Sequence, residues 1–351
     1  MTATAHAVLW GRLAWHPAVE AWNGFSDGPV EPPEHIEILQ QSSTSATYRL
    51  VADGGGRSIV ARRSLTPGAS IERTVHERIL PSLPVTSPRY CGFRADGTGR
   101  AWIFLEAAGD ERYAASDPTH RSVAGRWAGM MHSAGARLST AASLPDAGPS
   151  RYLGLLRSAR EIIRTHMTNR VLSTRDVSAL ERLATDLDAL DDGWARLEVA
   201  CAGVPATVTH GDYRLRHAYV RRRATGTGLE LLLLNWEMAG WGVPTVDLTP
   251  VDLDAYLAVI QPTWPGLELE DLQRLVTVGH VFGHLAAIRA VSPRLGAQTT
   301  HELRPTLDTL ESLHAQLTRA SQTTSCSTQV SVPCDAARLG KTIKSVRGRS
   351  R

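Results

Sequence analysis

Val208-Thr209-His210-Gly211-Asp212 and, 23 positions after that aspartate, Asn235-Trp236-Glu237 preceded by Leu233-Leu234 decide how this chain folds. Each stretch is a short apolar or β-branched run that ends in polar residues, the pattern of a strand delivering side chains at its tip. Between them, Tyr219 to Arg222 and Leu229 to Leu234 read as strands around the turn Thr225 to Gly228, so the second motif closes a β-hairpin. Ala239-Gly240-Trp241-Gly242-Val243-Pro244 follows, and Asp247-Leu248 ends the region.

Upstream, Ile36 to Leu39 alternates in polarity, and Thr47 to Ala52 and Ser58 to Arg62 flank the turn Asp53-Gly54-Gly55-Gly56. The spacing predicts a hairpin there, then a helix over about 70–80 stopped by Pro81, then strands at Arg89 to Phe93 and Trp102 to Glu106. After Gly109 the pattern is helical: Ser122 to Ser133, Arg151 to Met167, and a run from the capping box Ser173 to Asp176 through Leu180, Leu183 and Leu187 to Trp194. From Asp252 to about Ala320 it is helical again. The expectation is a strand-rich N-lobe over 36–108 and a mostly helical C-lobe over 109–320. An N-terminal extension (1–35) packs on the main fold, and a polar, low-complexity tail (321–351) reads as disordered. There are no internal repeats.

At 351 residues, 42% hydrophobic and 21% charged, the composition is that of a soluble globular chain. No apolar run approaches the 18 residues that suggest a membrane span, and no secretion signal is read at the N-terminus. Cys91, Cys201, Cys326 and Cys334 lack metal-ligand spacing and point to a reducing, cytoplasmic setting. Residues 335–351 carry a net +5 against +3 for the whole chain, so the basic balance belongs to the tail. Without interleaved aromatics the tail reads as a solubilising end, not a nucleic-acid or membrane contact. The only lysines are Lys341 and Lys344, so any phosphate-contacting cation in the body is arginine, histidine or backbone N–H.

The ordered set His210-Gly211-Asp212, Asn235-Trp236-Glu237, then Gly242 to Pro244 and Asp247-Leu248, closely resembles the signature of the aminoglycoside phosphotransferase and choline kinase superfamily. The likeness covers about residues 36–290 and implies a bilobal, protein-kinase-like α+β fold, with a small antiparallel-sheet N-lobe and a larger helical C-lobe. It also implies transfer of a γ-phosphate from ATP or GTP to a hydroxyl of a small molecule. Phosphoryl transfer needs a carboxylate to orient the hydroxyl, cations to neutralise the phosphates, and oxygen ligands for a divalent ion. By resemblance Asp212 is the catalytic carboxylate, with His210 and Asp247 holding its loop. Ser43, Thr44 and Ser45 lie in the phosphate-covering loop, Arg62 pairs with Glu72 (Glu77 being a second candidate), and Phe104-Leu105-Glu106 is the adenine hinge. Trp127 to His132 resembles the helix that supports the catalytic loop.

Three positions depart from the pattern. Arg62 stands for lysine, His217 for a metal-binding asparagine, and Asn235 for the aspartate that bridges Mg²⁺ or Mn²⁺ to the phosphates. Glu237, two residues from Asn235, would share a strand face with it and is a substitute metal ligand, beside His217 and Asn235. These changes leave a second reading open, a pseudokinase that binds nucleotide or a partner protein without efficient turnover. His280 and His284 read as helix-face histidines, and Glu268, Glu270 and Asp271 as a solvated helix start.

Overall fold

The computed structural model describes residues 7–11, 13–24, 32–42, 44–52, 58–109, 111–211, 215, 218–223 and 228–329, with side chains through residue 323 except at 142. Ser43, Asp212 and His217 lie outside the described residues.

Six antiparallel strands build the N-lobe: β1 (Ala7–Trp10), β2 (His35–Gln41), β3 (Ala46–Val51), β4 (Ile59–Leu65), β5 (Tyr90–Ala95) and β6 (Arg100–Glu106), ordered β1-β2-β3-β4-β6-β5. The period-2 alternation sorts their side chains between two faces. Tyr48, Leu50, Ile59, Ala61, Trp102 and Phe104 face outward onto helix α1 (Pro17–Asn23), whose Ala18, Val19 and Ala21 are buried against them. Val60, Arg62, Ile103 and Leu105 face the other way, toward the C-lobe. The N-terminal extension therefore does more than pack on the fold: it adds the edge strand β1 and covers the outer face of the sheet.

Helix α2 (Thr66–Thr74) follows β4 directly. It begins four residues earlier than the sequence pattern suggests, because Pro67 suits the first turn, where no backbone N–H is needed. Glu72 is thus near its C-terminal end. A turn of π-helix, Val75–Ile79, carries the chain on and buries His76.

The C-lobe is organised on helices α3 (Pro118–Gly135), α4 (Pro149–His166), α5 (Thr174–Asp192), α6 (Ala195–Cys201), and, after the motif region, α7 (Thr245–Leu248), α8 (Leu253–Ile260), α9 (Leu269–Val291) and α10 (Thr300–Gln329). The Ser173–Asp176 capping box forms as expected. Helix α10 runs to Gln329, so residues 321–329 are helical and not part of a disordered tail. By length and composition α9 could cross a bilayer, which the run-based reading missed, yet Leu272, Leu275, Val278, Val281, Phe282, Leu285 and Ile288 are buried in the C-lobe core. Gly279 lets it lie directly against α7, since a Cβ there would sit 2.1 Å from the Thr245 carbonyl oxygen.

Four short strands hold the motifs between the lobes: β7 (Thr207–Thr209) pairs with β10 (Gly240–Gly242), and β8 (Ala218–Arg222) with β9 (Leu229–Leu233). Leu232, Leu234 and Tyr219 from this region pack on Ala69, Ala101, Ile103 and Leu105 of the N-lobe, so one apolar cluster joins the two lobes. Each leucine or isoleucine of the cluster, fully buried, contributes roughly 1.5–3 kcal/mol.

Candidate active site

Asp247 organises the end of β7. Its Oδ2 accepts from the His210 backbone N–H at 2.7 Å and its Oδ1 from that of Gly211 at 2.8 Å. His132 Nε2 lies 3.3 Å from Oδ2, and its Nδ1 meets the Tyr256 hydroxyl at 3.0 Å. Burial alone would raise this carboxyl, but the hydrogen bonds from His132 and the His210 backbone outweigh it and hold the group below the usual carboxylate range. Gly211 has φ 77°, and a Cβ there would meet the Met238 carbonyl oxygen at 2.5 Å, so the turn leading into Asp212 requires glycine. His210 is fixed a second time by Nε2 on the Leu234 carbonyl, 3.1 Å away, and by an edge contact of its ring with Trp236. The supporting helix predicted at Trp127 to His132 is α3, and His132 is the residue that reaches Asp247 and, through it, the end of β7.

Arg62 and Glu72, ten residues apart in sequence, come together as expected. Arg62 Nη1 donates to Glu72 Oε2 at 2.5 Å, and both side chains are buried. Glu72 Oε1 accepts from the Asn235 backbone N–H at 3.0 Å, which ties α2 to the second motif. The sequence pattern does not reveal the third member: Glu237 Oε2 lies 2.7 Å from Arg62 Nη2. Burial works against the Arg62 charge, but the two carboxylates outweigh it and hold the guanidinium above its ordinary pKa. Glu77 is not part of this cluster; it pairs with Arg73 at 2.9 Å and accepts from the Tyr90 hydroxyl.

The premise that Asn235 and Glu237 share a strand face does not hold. The strand ends at Leu233, Asn235 is left-handed (φ 67°, ψ 64°), and Trp236–Met238 is a 3₁₀ turn. Strand alternation therefore no longer applies, and Glu237 turns toward Arg62 while Asn235 faces the cleft.

That cleft is a cavity of about 400 Å³ lined by residues from both lobes, within the size range of small-molecule sites. Leu39, Val60, Leu105 and Leu234 supply apolar walls, and Thr47, Arg62, Arg112, Tyr219 and Asn235 supply polar groups. Thr47 sits directly across from Arg62 in the β3–β4 register. The resemblance placed Thr47 at the end of the phosphate-covering loop, Gln41 to Thr47, and the structure places it on strand β3 lining the cavity; sequence reasoning passed over Arg112. Of the expected hinge, Leu105 lines the cavity, whereas Glu106 lies 3.6 Å from Arg89. Thr44 and Ser45 form the hairpin tip, where both backbone N–H groups donate to Ser42 Oγ, and neither lines the cavity. A second cavity, of about 290 Å³ among α5, α6, α9 and α10, faces none of the motif residues. His280 and His284 lie in a groove with Gln316 and Arg319.

The phosphotransferase enzyme family's sequence profile matches residues 35–274. The chain belongs to that family. Among solved structures, the GDP complex of wild-type aminoglycoside 2'-phosphotransferase-IIIa aligns with a TM-score of 0.54 at 13% identity, over 87% of this chain and 99% of that one. Ethanolamine kinase from Plasmodium vivax gives 0.55 at 11%, over 85% and 84%. Spectinomycin phosphotransferase, solved with ADP and spectinomycin, gives 0.51 at 9%, over 82% and 93%. At these identities the likeness shows the bilobal fold. No curated protein matches the sequence.

The family implies a divalent cation, and the resemblance assigned it to His217, Asn235 and Glu237. The described residues do not fit one. No carboxylate is among the described residues that line the cavity and Asn235 is neutral; Glu237 has Oε2 on Arg62, and its Oε1, buried without a partner among the described residues, is a single oxygen off the cavity wall. Among the described residues, no group of three or more His, Cys, Asp or Glu is placed to hold a metal. Magnesium is usually held by one or two carboxylates beside waters and substrate phosphates, and the described cavity wall presents two guanidinium-bearing residues instead.

Proposed function

We propose that this family member transfers the γ-phosphate of ATP or GTP to a hydroxyl of a small molecule bound between the lobes. The observation that carries the reading is the double tether of the cleft: Asp247 holds the peptide entering Asp212, and Glu72 holds the backbone of Asn235. The two motifs also touch, His210 Nε2 meeting the Leu234 carbonyl, so both are fixed beside one cavity before any ligand arrives, the preorganisation that phosphoryl transfer depends on. The acceptor oxygen attacks the γ-phosphorus, the bond to the bridging oxygen breaks, and the nucleoside diphosphate leaves. The Asp212 carboxylate orients the acceptor hydroxyl and takes its proton. Arg62, braced by Glu72 and Glu237, presents fixed positive charge toward the phosphates. Solved relatives with bound ADP and GDP support a nucleotide in this cleft. A cytoplasmic location, where nucleoside triphosphates and free thiols coexist, is part of the reading.

Asn235 favours a second reading, in which nucleotide binds and a partner protein responds without turnover. One experiment separates the two. Purified protein is incubated with ATP and GTP and a panel of amino-alcohol, aminocyclitol and sugar acceptors, and diphosphate release is measured beside Asp212→Ala. Transfer above that control supports the enzyme; nucleotide binding with no transfer supports the second reading.

A further inference from the structure

We infer that the cleft binds the phosphates of its nucleotide without a divalent cation, through Arg62, Thr47 and the Asn235 carboxamide. The inference rests on the proposed nucleotide reading of the cleft and goes beyond it. Three observations carry it.

The first is the sign of the wall. Arg62 and Arg112 line the cavity, and no described lining residue is acidic. Glu72 and Glu237 stand behind Arg62 with oxygens on its two terminal nitrogens, so the guanidinium is a built-in cation with a fixed orientation. Each terminal nitrogen keeps a second N–H for a phosphate oxygen, and the guanidinium cannot be deprotonated.

The second is a pair of polar groups with nothing to bind. Among the described residues, the Thr47 hydroxyl and Asn235 Oδ1 are buried with no hydrogen-bond partner, and both residues line this cavity. Thr47 lies across the strand pair from Arg62, so its hydroxyl and the guanidinium can meet the same phosphate group. Amide orientation is free to follow the ligand, and an Asn235 flipped to present Nδ2 offers two donors.

The third is the effect of the aspartate's absence at 235. A carboxylate there would repel bare phosphates and need a bridging metal. A neutral carboxamide instead donates to them directly. The change that makes a metal hard to hold is the change that makes it unnecessary.

The test is calorimetric titration of the full chain with ATP, ADP and GTP, each in EDTA, in Mg²⁺ and in Mn²⁺. The inference expects Kd values that agree within about twofold across the three conditions. Thr47→Val should weaken metal-free binding by about five- to tenfold, the loss of one hydrogen bond. Asn235→Asp should weaken metal-free binding by at least about tenfold and regain it with Mg²⁺. Unfolding midpoints measured without nucleotide confirm that each variant is folded. Wild-type binding about tenfold or more tighter in Mg²⁺ or Mn²⁺ than in EDTA overturns this inference and leaves the phosphotransfer reading standing. Absence of binding in every condition overturns both.

Discussion

Asp247→Asn changes one oxygen to nitrogen and sets a donor against a donor. In the native protein two backbone N–H groups, at 2.7 and 2.8 Å, converge on one carboxylate that is 5% exposed. The asparagine carbonyl can satisfy one of them. Its NH₂ then faces the other, leaving a buried donor unpaired, which costs about 1–3 kcal/mol, and the surviving bond loses its charge assistance. The sum is about 3 kcal/mol, or roughly a hundredfold in the folding equilibrium. Urea unfolding followed by tryptophan fluorescence reads it directly, since Trp236 and Trp127 pack beside this loop. Activity should fall with it, because the same two bonds aim the peptide before Asp212. A variant within about 0.5 kcal/mol of wild type would show that the carboxylate does not hold the loop, and the argument from preorganisation would fail.

Glu72→Gln keeps an acceptor for the Asn235 N–H but strips Arg62 of one of its two carboxylates; Glu237 still pairs with the guanidinium and burial already pushes the Glu72 carboxyl above its ordinary range, so a drop of about 1–3 kcal/mol in urea unfolding is expected. His76 is buried and its pKa is pushed down to about 4, mainly by burial and further by the charge on His210. It is neutral when folded and takes up a proton when unfolded, so its contribution is whole above about pH 6.5 and is lost as pH falls toward 4. His76→Leu should flatten the stability profile across that window by roughly 3 kcal/mol. Asp247 acts in a different window: with its folded pKa lowered, its stabilisation is present above the ordinary carboxylate range and is lost only on further acidification. Gly279→Ala places a Cβ 2.1 Å from the Thr245 carbonyl oxygen and should force α7 and α9 apart, lowering the melting temperature through overpacking of about 1–3 kcal/mol.

Much of this arrangement was legible in the sequence because it is local. His210-Gly211 and Asn235-Trp236 sit at the ends of hydrophobic runs, and a run of that kind reveals both the strand and what its end presents. The Arg62–Glu72 pair was readable only through the family resemblance, which places a cation on the third strand opposite a helix glutamate; the structure brings the two together. What was not readable depends on backbone geometry that no spacing encodes. Asn235 adopts a left-handed conformation, and that single residue redirects Glu237 from the cleft to Arg62. The role of Thr47 needed the β3–β4 register, and that of α1 needed the outer face of the sheet to be seen uncovered.

The central claim is that Asp212 takes a proton from an acceptor hydroxyl in a cleft that already binds nucleotide. It is tested most directly by measuring diphosphate release and nucleotide binding together, on the wild type and on Asp212→Asn. The account predicts acceptor-dependent release that falls at least about a hundredfold in the variant while nucleotide affinity stays within a few fold. Equal release by the two proteins would contradict it.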